Sequence, residues 1–277
     1  MGNPADFDPL TLANRRYGRD ELRTLPDFNA TLATQLSHRS VRAFTPEPLA
    51  DGTLELLLAA AQSAPSSSNL QVWSAVAVRQ PARKARLAAL ANHQTQIVEA
   101  PLLLVFLADL SRLHRIGAAQ GEPLVGADYL DTALMGFIDA ALAAQNVVTA
   151  AESLGLGTVY IGALRNRPEE VAAELGLPLH VAPAFGLVVG HPDPARPTAV
   201  KPRLPQRAVL HHEQYSSGPE AAAVAEYDDL IQHFQATQAL PQQAWSRQAV
   251  ARLRGPESLS GRHRLREALA QLGFPLI

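Results

Sequence analysis

Basic and hydroxyl side chains follow one another in the segment His38–Phe44, which reads HRSVRAF. Arg39 and Arg42 are three positions apart, and Ser40 stands between them. Guanidinium forks match phosphate oxygens in pairs, and a hydroxyl or a helix-end N–H binds the remaining oxygens. The segment therefore predicts a phosphate-binding site. The alternative is an exposed pair of arginines at the end of a helix.

A second basic segment, KPRLP, spans residues 201–205. Its two prolines hold Lys201 and Arg203 in an extended register, and a restrained backbone loses less entropy when it becomes ordered. The only other lysine in the chain is Lys84, since every other strong cation is arginine. A lysine inside a motif is therefore a stronger indication of anion binding than an ordinary basic pair.

Neutral polar side chains are concentrated in SAPSSSNLQVW, residues 63–73. Three consecutive serines are followed by Asn69 and Gln71, between a predicted helix and a predicted strand. These donors and acceptors suit a polyol, a ribityl chain or the edge of a heterocycle. The alternative is a capping and turn cluster, because serine and asparagine favour such loops for local reasons.

Glycines punctuate the segment GLGTVYIGALRN, residues 155–166. Gly155 and Gly157 form a GxG, but a dinucleotide-binding motif needs a strand, then the glycines, then a helix. Here the predicted helix comes first and the predicted strand last, so the order excludes that motif. Gly162 at the strand end lets a flat ligand approach the backbone, whose N–H can donate to it. The alternative is a tight turn.

Several functional classes are excluded or disfavoured by the composition of the 277-residue chain. Without cysteine it has no thiolate metal ligand and no cysteine nucleophile. It contains no HExxH or GxSxG motif, and the adjacent His211 and His212 diverge too far to chelate one metal ion. A net charge of −2 argues against a nucleic-acid binder. The longest apolar run, residues 100–108, is shorter than the roughly 20 residues of a membrane span. We expect a cytoplasmic protein with no metal, nucleic-acid or membrane partner.

Hydrophobic periodicity predicts the elements that position these segments. A helix is predicted from Asn29, and another from Asp51, as its N-cap, to Pro65. Further helices are predicted over residues 81–91, 128–154, 168–175, 220–238, 243–253 and 261–272, and strands over residues 72–79, 102–107, 158–162 and 184–190. Helices outnumber and separate the strands, which favours an α+β domain with helices over a central sheet. The first residues, rich in Pro, Asn and Asp, indicate an arm outside the core.

The order of these motifs resembles the nitroreductase superfamily. The matching segments are HRSVRAF, SSSNLQ, a long helix ending in AESLG, GTVYIGALRN, FGLVVGHP and KPRLP. The similarity is to the branch of oxygen-insensitive NAD(P)H nitroreductases and flavin reductases. It implies a nitroreductase-like α+β fold, in which helices flank a central, mostly antiparallel sheet, and an intertwined homodimer. It also implies an N-terminal extension (1–27), an FMN-binding core (28–215) and a C-terminal helical excursion (216–277) that packs on the core and on the partner subunit.

The resemblance also implies non-covalently bound FMN, with NADPH or NADH as electron donor. Nitroaromatics, quinones or flavins would be reduced by a ping-pong route through flavin N5, with no catalytic acid or base from the protein. The implied phosphate ligands are His38, Arg39, Ser40, Arg42, Lys201 and Arg203. The implied ribityl and ring contacts are Ser66, Ser68 and Gln71 from the partner subunit, together with Gln94, Gln96, Tyr160, Ile161, Gly162 and Ala163. Ala163 replaces the family's usual glycine, and its methyl group is tolerable only at a negative φ.

One departure from the family concerns the electron donor. Residues 208–246 contain no Lys or Arg, whereas the NADPH-preferring branch has basic residues there for the 2′-phosphate. We expect a weakened NADPH preference, with NADH also used. Loops within residues 110–129 and the C-terminal helices would set acceptor specificity. Two alternatives stay open: a flavin-binding or sensing protein with little turnover, and an NAD(P)H:free-flavin reductase. A purely structural helical dimer would leave Arg39, Arg42, Lys201 and Arg203 unexplained.

Overall fold

The chain forms two compact units in the computed structural model, which describes residues 8–277. The first unit comprises the described residues up to Arg39 together with Thr198–Ser258. The second comprises Ser40–Pro197 and Leu259–Ile277. Residues 1–7 of the predicted N-terminal extension lie outside the described part. The predicted boundaries after residues 27 and 215 stay predictions.

The second unit is built on one four-stranded sheet: β1 (Trp73–Val78), β2 (Leu102–Asp109), β3 (Gly157–Ile161) and β4 (Val181–Gly190). The strand order is β1-β2-β4-β3, and each neighbouring pair is antiparallel. All eight residues of β2 are buried, because this strand lies inside the sheet and reads as a continuous apolar run. The predicted antiparallel sheet flanked by helices is confirmed.

Eleven α-helices occur in the part of the chain that the structure describes. They are α1 (Pro9–Arg15), α2 (Ala30–Leu36), α3 (Thr53–Gln62), α4 (Pro81–Leu90), α5 (Gln96–Glu99), α6 (Ser111–Gln120), α7 (Leu130–Ser153), α8 (Pro168–Leu175), α9 (Glu220–Thr237), α10 (Trp245–Arg252) and α11 (Leu265–Gln271). Every predicted helix and strand is present, with ends displaced by at most about four residues.

The central helix of the second unit is α7, which packs on β2 and on α3. Small residues make its inner face flat: a Cβ on Gly136 would stand 3.0 Å from the Ala108 methyl group. By length and composition this helix could cross a membrane, but 44% of its most apolar window is buried inside the protein. Its inner face packs on β2 and α3, which is typical of a core helix.

Three local expectations are wrong. Residues 111–120 form α6 rather than a loop; Leu110 is the N-cap, and Asp109 accepts hydrogen bonds from the backbone N–H and the hydroxyl of Ser111, the first helical residue. The N-cap of α3 is Gly52, at a φ of +80°, and not Asp51. The N-terminal arm contains α1, whose Leu12 and Ala13 are only 1% exposed. A seven-residue helix is too short for its periodicity to stand out in the sequence.

Candidate functional site

Four of the predicted phosphate ligands lie in the first unit, on two segments outside regular secondary structure. We call these the basic segments: His38–Arg39, just after α2, and Lys201–Arg203. Ser40 and Arg42 continue the HRSVR motif in the second unit, where Ser40 forms an isolated parallel bridge with Thr158.

One side chain joins the two basic segments. The guanidinium of Arg16, at the end of α1, donates to the carbonyl oxygens of His38 at 2.7 Å and Lys201 at 3.2 Å. It also donates to the carbonyl oxygen of Leu36, the last residue of α2, at 2.9 Å. The carbonyl of Arg16 in turn accepts from the backbone N–H of Arg203 at 2.9 Å. The first unit therefore brings together segments that are far apart in the sequence.

Three arginines among the predicted phosphate ligands have no carboxylate partner within the described residues. Among those residues, the Arg203 guanidinium donates to the nearby carbonyls of Lys201 and Pro202, at 3.3 and 3.4 Å. Within residues 8–277, neither Arg39 nor Arg42 forms an ion pair or a side-chain hydrogen bond; Arg39 is half-buried and Arg42 is exposed. Other arginines are neutralised by a carboxylate, as Arg19 is by Glu21.

A buried carboxylate accepts hydrogen bonds from the serine-rich loop of the second unit. Asp139, on α7, is 1% exposed and accepts from the Ser66 hydroxyl at 2.6 Å and from the backbone N–H of Ser67 at 3.2 Å. The Ser66 oxygen also accepts from the backbone N–H of Gln71 at 2.8 Å. The donor of Ser66 is thus committed to the protein, and this predicted ligand shapes the loop instead of presenting its proton to a ligand.

Left-handed backbone conformations are concentrated in the same loop. Ser68, Asn69 and Gln71 have φ values of +49°, +55° and +53°. Such values are uncommon outside glycine and cluster at functional sites, where the surrounding structure holds the strained backbone. Ser68 and Gln71, both predicted ring contacts, are exposed, and the Gln71 carbonyl accepts from Arg112 at 2.8 Å.

The two predicted glutamines contact each other. The Gln96 side-chain amide donates to the Gln94 oxygen at 2.6 Å. Gln96 is buried at the start of α5, whereas Gln94 is half-buried. Gln94 is therefore the one able to offer its amide N–H to a ligand, and Gln96 orients it.

The segment Tyr160–Ala163 runs from the end of β3 into the 3₁₀-helix Gly162–Asn166. The Tyr160 ring is 38% exposed and packs edge-on against Phe185, with ring centroids 5.2 Å apart. Burial, with a smaller contribution from the charge of Glu152, raises the pKa of Tyr160 to about 12. Ile161 is buried, and Ala163 has no positive φ, so its methyl group fits the backbone.

Sequence reasoning missed Arg16 and Asp139. Asp139 carried a usable signal, because a single carboxylate in the middle of an apolar helix needs buried partners. Arg16 carried none, since it is one of several arginines in a polar segment. The rarity of lysine does not by itself indicate anion binding, because the other lysine has a structural role. Lys84 is buried, and its ammonium donates to the carbonyls of Val98 and Ala100. Burial lowers the pKa of Lys84.

Metal chemistry finds no support in the described residues. Within residues 8–277, no three His, Asp or Glu side chains cluster closely enough to hold a metal ion.

Comparison with known proteins gives concordant matches. The model of the Nitroreductase family matches residues 36–191, and that of the Nitroreductase family C-terminal domain matches residues 201–277. An NADPH-flavin oxidoreductase of Vibrio harveyi is 39% identical over 230 residues, covering 82% of this chain and 92% of the relative. An FMN reductase [NAD(P)H] of Bacillus subtilis is 40% identical over 212 residues, covering 75% and 83%. The structure of an NADPH:FMN oxidoreductase from Vibrio harveyi complexed with NAD⁺ superimposes with a TM-score of 0.79 at 36% identity, covering 89% of this chain and 99% of that one.

Proposed function

This chain belongs to the nitroreductase family, and we propose that it reduces small acceptors such as nitroaromatics, quinones and flavins with electrons from NADPH or NADH. It is an NAD(P)H-dependent flavin oxidoreductase with FMN as its cofactor, as the names of its relatives indicate. Bound FMN would supply the hydride and electron transfer between donor and acceptor, a chemistry that amino-acid side chains lack. Donor and acceptor would use the same site in turn.

The observation that carries this proposal is the pairing of the two basic segments through Arg16. A phosphate monoester carries about −1.5 to −2 charges near neutral pH, and it needs several unneutralised cations. Arg39 and Arg203, neither of which forms an ion pair within residues 8–277, supply such cations, and the family resemblance assigns Lys201 to the same group. The donor set therefore fits a flavin phosphate. We assign His38 to the same group, and Ser40 and Arg42 through the HRSVR motif.

The residues of the second unit suit the ribityl chain and the ring. The exposed Ser68 and Gln71 and the half-buried Gln94 offer neutral hydrogen-bond partners, which match a polyol and a heterocycle edge. Tyr160 stays protonated at neutral pH, because its pKa is raised to about 12. It therefore contributes an uncharged surface and no acid–base step. The backbone of Ile161, Gly162 and Ala163 would face the ring.

Homodimer formation is part of the proposal. Four side chains on α7 form an exposed stripe at four-residue spacing: Leu130, Leu134, Ile138 and Leu142, each 40 to 55% exposed. Contiguous apolar surface of this kind usually marks an interface. Light scattering during gel filtration should give twice the chain mass of 29.7 kDa. A monomer at micromolar concentration would contradict it. A cytoplasmic location remains a prediction.

Two spectra test the function. The purified protein should show flavin absorbance bands at about one FMN per chain, and anaerobic NADPH or NADH should bleach them. Added nitroaromatic, quinone or free flavin should then restore the yellow colour. A protein that stays yellow with both nucleotides would be a flavin carrier or sensor, and a colourless protein that takes up no FMN would contradict the cofactor itself. The relative kcat/KM for free FMN and for a nitroaromatic ranks the acceptors.

A further inference from the structure

Residues 8–18 precede the stretch matched by the family model, which begins at residue 36. They form part of the fold of the first unit. Asp8 caps α1 by accepting from the backbone N–H of Thr11 at 2.9 Å, and Leu12 and Ala13 are buried. Gly18, at a φ of +66°, lies against Pro202, so close that a Cβ there would stand 3.4 Å from the proline ring. The end of this stretch, at Gly18, therefore packs directly on the second basic segment.

From this geometry we infer that Arg16 is a positioning residue for the phosphate end of the FMN site. The inference rests on the proposed function, because it concerns how this chain holds FMN. Arg16 acts through the main chain of the two basic segments, and its role is separate from the charges that meet the phosphate.

Several main-chain carbonyl groups at this site need hydrogen-bond donors. The last carbonyls of a helix have no partner within it, and irregular segments lack the regular partners of a sheet. Arg16 supplies donors to the carbonyls of Leu36, His38 and Lys201, and accepts from the N–H of Arg203. A planar guanidinium has five N–H donors in a rigid fork, so one side chain can satisfy several carbonyls at once.

The consequence is preorganisation. Segments whose backbone is already ordered lose less conformational entropy when they bind a ligand, which increases affinity without a new contact. With Arg16 in place, the Cα positions of His38, Arg39, Lys201 and Arg203 are set before the phosphate arrives. Without the Arg16 guanidinium, the same cations are present, but the carbonyls of His38 and Lys201 lose the side chain that joins them. Arg16 should therefore affect the affinity for the phosphate and leave the affinity for the flavin ring unchanged.

FMN and riboflavin separate these contributions, since they differ only by the phosphate. FMN-loaded protein, and protein exchanged into riboflavin by dialysis, are diluted in steps, and the released flavin is measured by its fluorescence. Arg16→Ala should raise the Kd for FMN about tenfold or more and leave the Kd for riboflavin within about twofold. Arg16→Lys keeps the charge but cannot reach three carbonyls, so it should also raise the Kd for FMN severalfold.

Arg19→Ala is the matched control, because Arg19 belongs to the same extension but pairs with Glu21 and Glu226. It should leave both Kd values within about twofold. An equal loss of FMN and riboflavin binding in Arg16→Ala would overturn the inference in favour of a general structural role. Wild-type behaviour of Arg16→Ala or of Arg16→Lys would also overturn it. If the wild-type chain binds no FMN, the proposed function fails instead.

Discussion

The phosphate end and the ring end of the proposed FMN site are built by different means. In the first unit, cations lie on irregular backbone that is tied by the Arg16 side chain. In the second unit, neutral polar groups lie on a loop fixed by buried Asp139 and at the end of a strand fixed by sheet register. The phosphate end depends on charge, whereas the ring end depends on backbone shape.

The two ends should therefore respond differently to substitution. Loss of a cation removes phosphate affinity directly, and the surrounding fold has no substitute for the charge. Loss of a ring-end side chain leaves the sheet and most of the loop in place, so its effect is smaller. FMN and riboflavin share the ring but not the phosphate. A substitution at the phosphate end should therefore weaken FMN binding alone, whereas one at the ring end should weaken the binding of both flavins.

The largest effect is expected when two cations are removed from the phosphate end. Arg39→Ala combined with Lys201→Ala should lower FMN affinity more than about a hundredfold, since each charged hydrogen bond contributes about 1.5–3 kcal/mol. The protein should then lose FMN on purification, as its absorbance would show. Arg247→Ala with Arg254→Ala, in the same unit, removes the same charge elsewhere and should retain flavin. Stoichiometric FMN in the first variant would refute the phosphate assignment.

A comparison of NADPH with NADH tests whether basic residues of the first unit also bind the 2′-phosphate of the electron donor. Residues 208–246 contain no Lys or Arg, so the 2′-phosphate of NADPH has no cation in this stretch. The ratio of kcat/KM for NADPH to that for NADH should therefore stay below about a hundred, a difference of about 2.7 kcal/mol. Initial rates with both nucleotides measure it. A ratio of a hundred or more would mean that other cations bind the 2′-phosphate.

An intermediate effect is expected at the ring end. Asp139→Ala leaves the Ser66 hydroxyl and the Ser67 N–H without their acceptor, and a hydrogen bond to a charged group contributes about 1.5–3 kcal/mol. The affinities for FMN and riboflavin should fall by the same factor, about tenfold. Asp131→Ala, on the exposed side of α7, is the control. A selective loss of FMN would mean that Asp139 acts on the phosphate end, and the contrast between the two ends would fail.

The smallest effect is expected for Tyr160. Its folded pKa of about 12 lies above the ordinary value of 10.0, so between these pH values the folded phenol keeps a proton that the unfolded phenol loses. The stabilisation it provides is therefore complete below pH 10 and is lost as the pH rises towards 12. Tyr160→Phe should remove one phenolate transition near pH 12 from the ultraviolet titration and change FMN affinity less than about twofold. Tyr215→Phe, at an exposed position, is the control and should also leave FMN affinity unchanged. If the transition missing from Tyr160→Phe lies near pH 10, the surroundings of this phenol do not raise its pKa.

Much of the fold was predictable because its signals are local. The 24-residue helix α7 and the apolar strand β2 stand out by periodicity and length, and Pro168 marks the start of α8. The failures are also local in origin. The short α1 and the polar α6 have weak periodicity. Their formation depends on the tertiary burial of Leu12 and on the hydrogen bonds from Ser111 to Asp109. The left-handed φ values of Ser68, Asn69 and Gln71 could not be predicted, because these residue types do not require them.

The sequence by itself determined the chemistry of the candidate site. The charged and hydroxyl groups in HRSVR, SSSN and KPRLP are contiguous, so their types and spacing are readable without a structure. The side chains that hold these segments in place become visible only in the folded protein. Arg16 bonds to main-chain carbonyls, which every residue possesses, and Asp139 meets a serine 73 positions away in the chain. A carbonyl leaves no mark in the sequence, and a long-range partner is selected only by the path of the folded backbone.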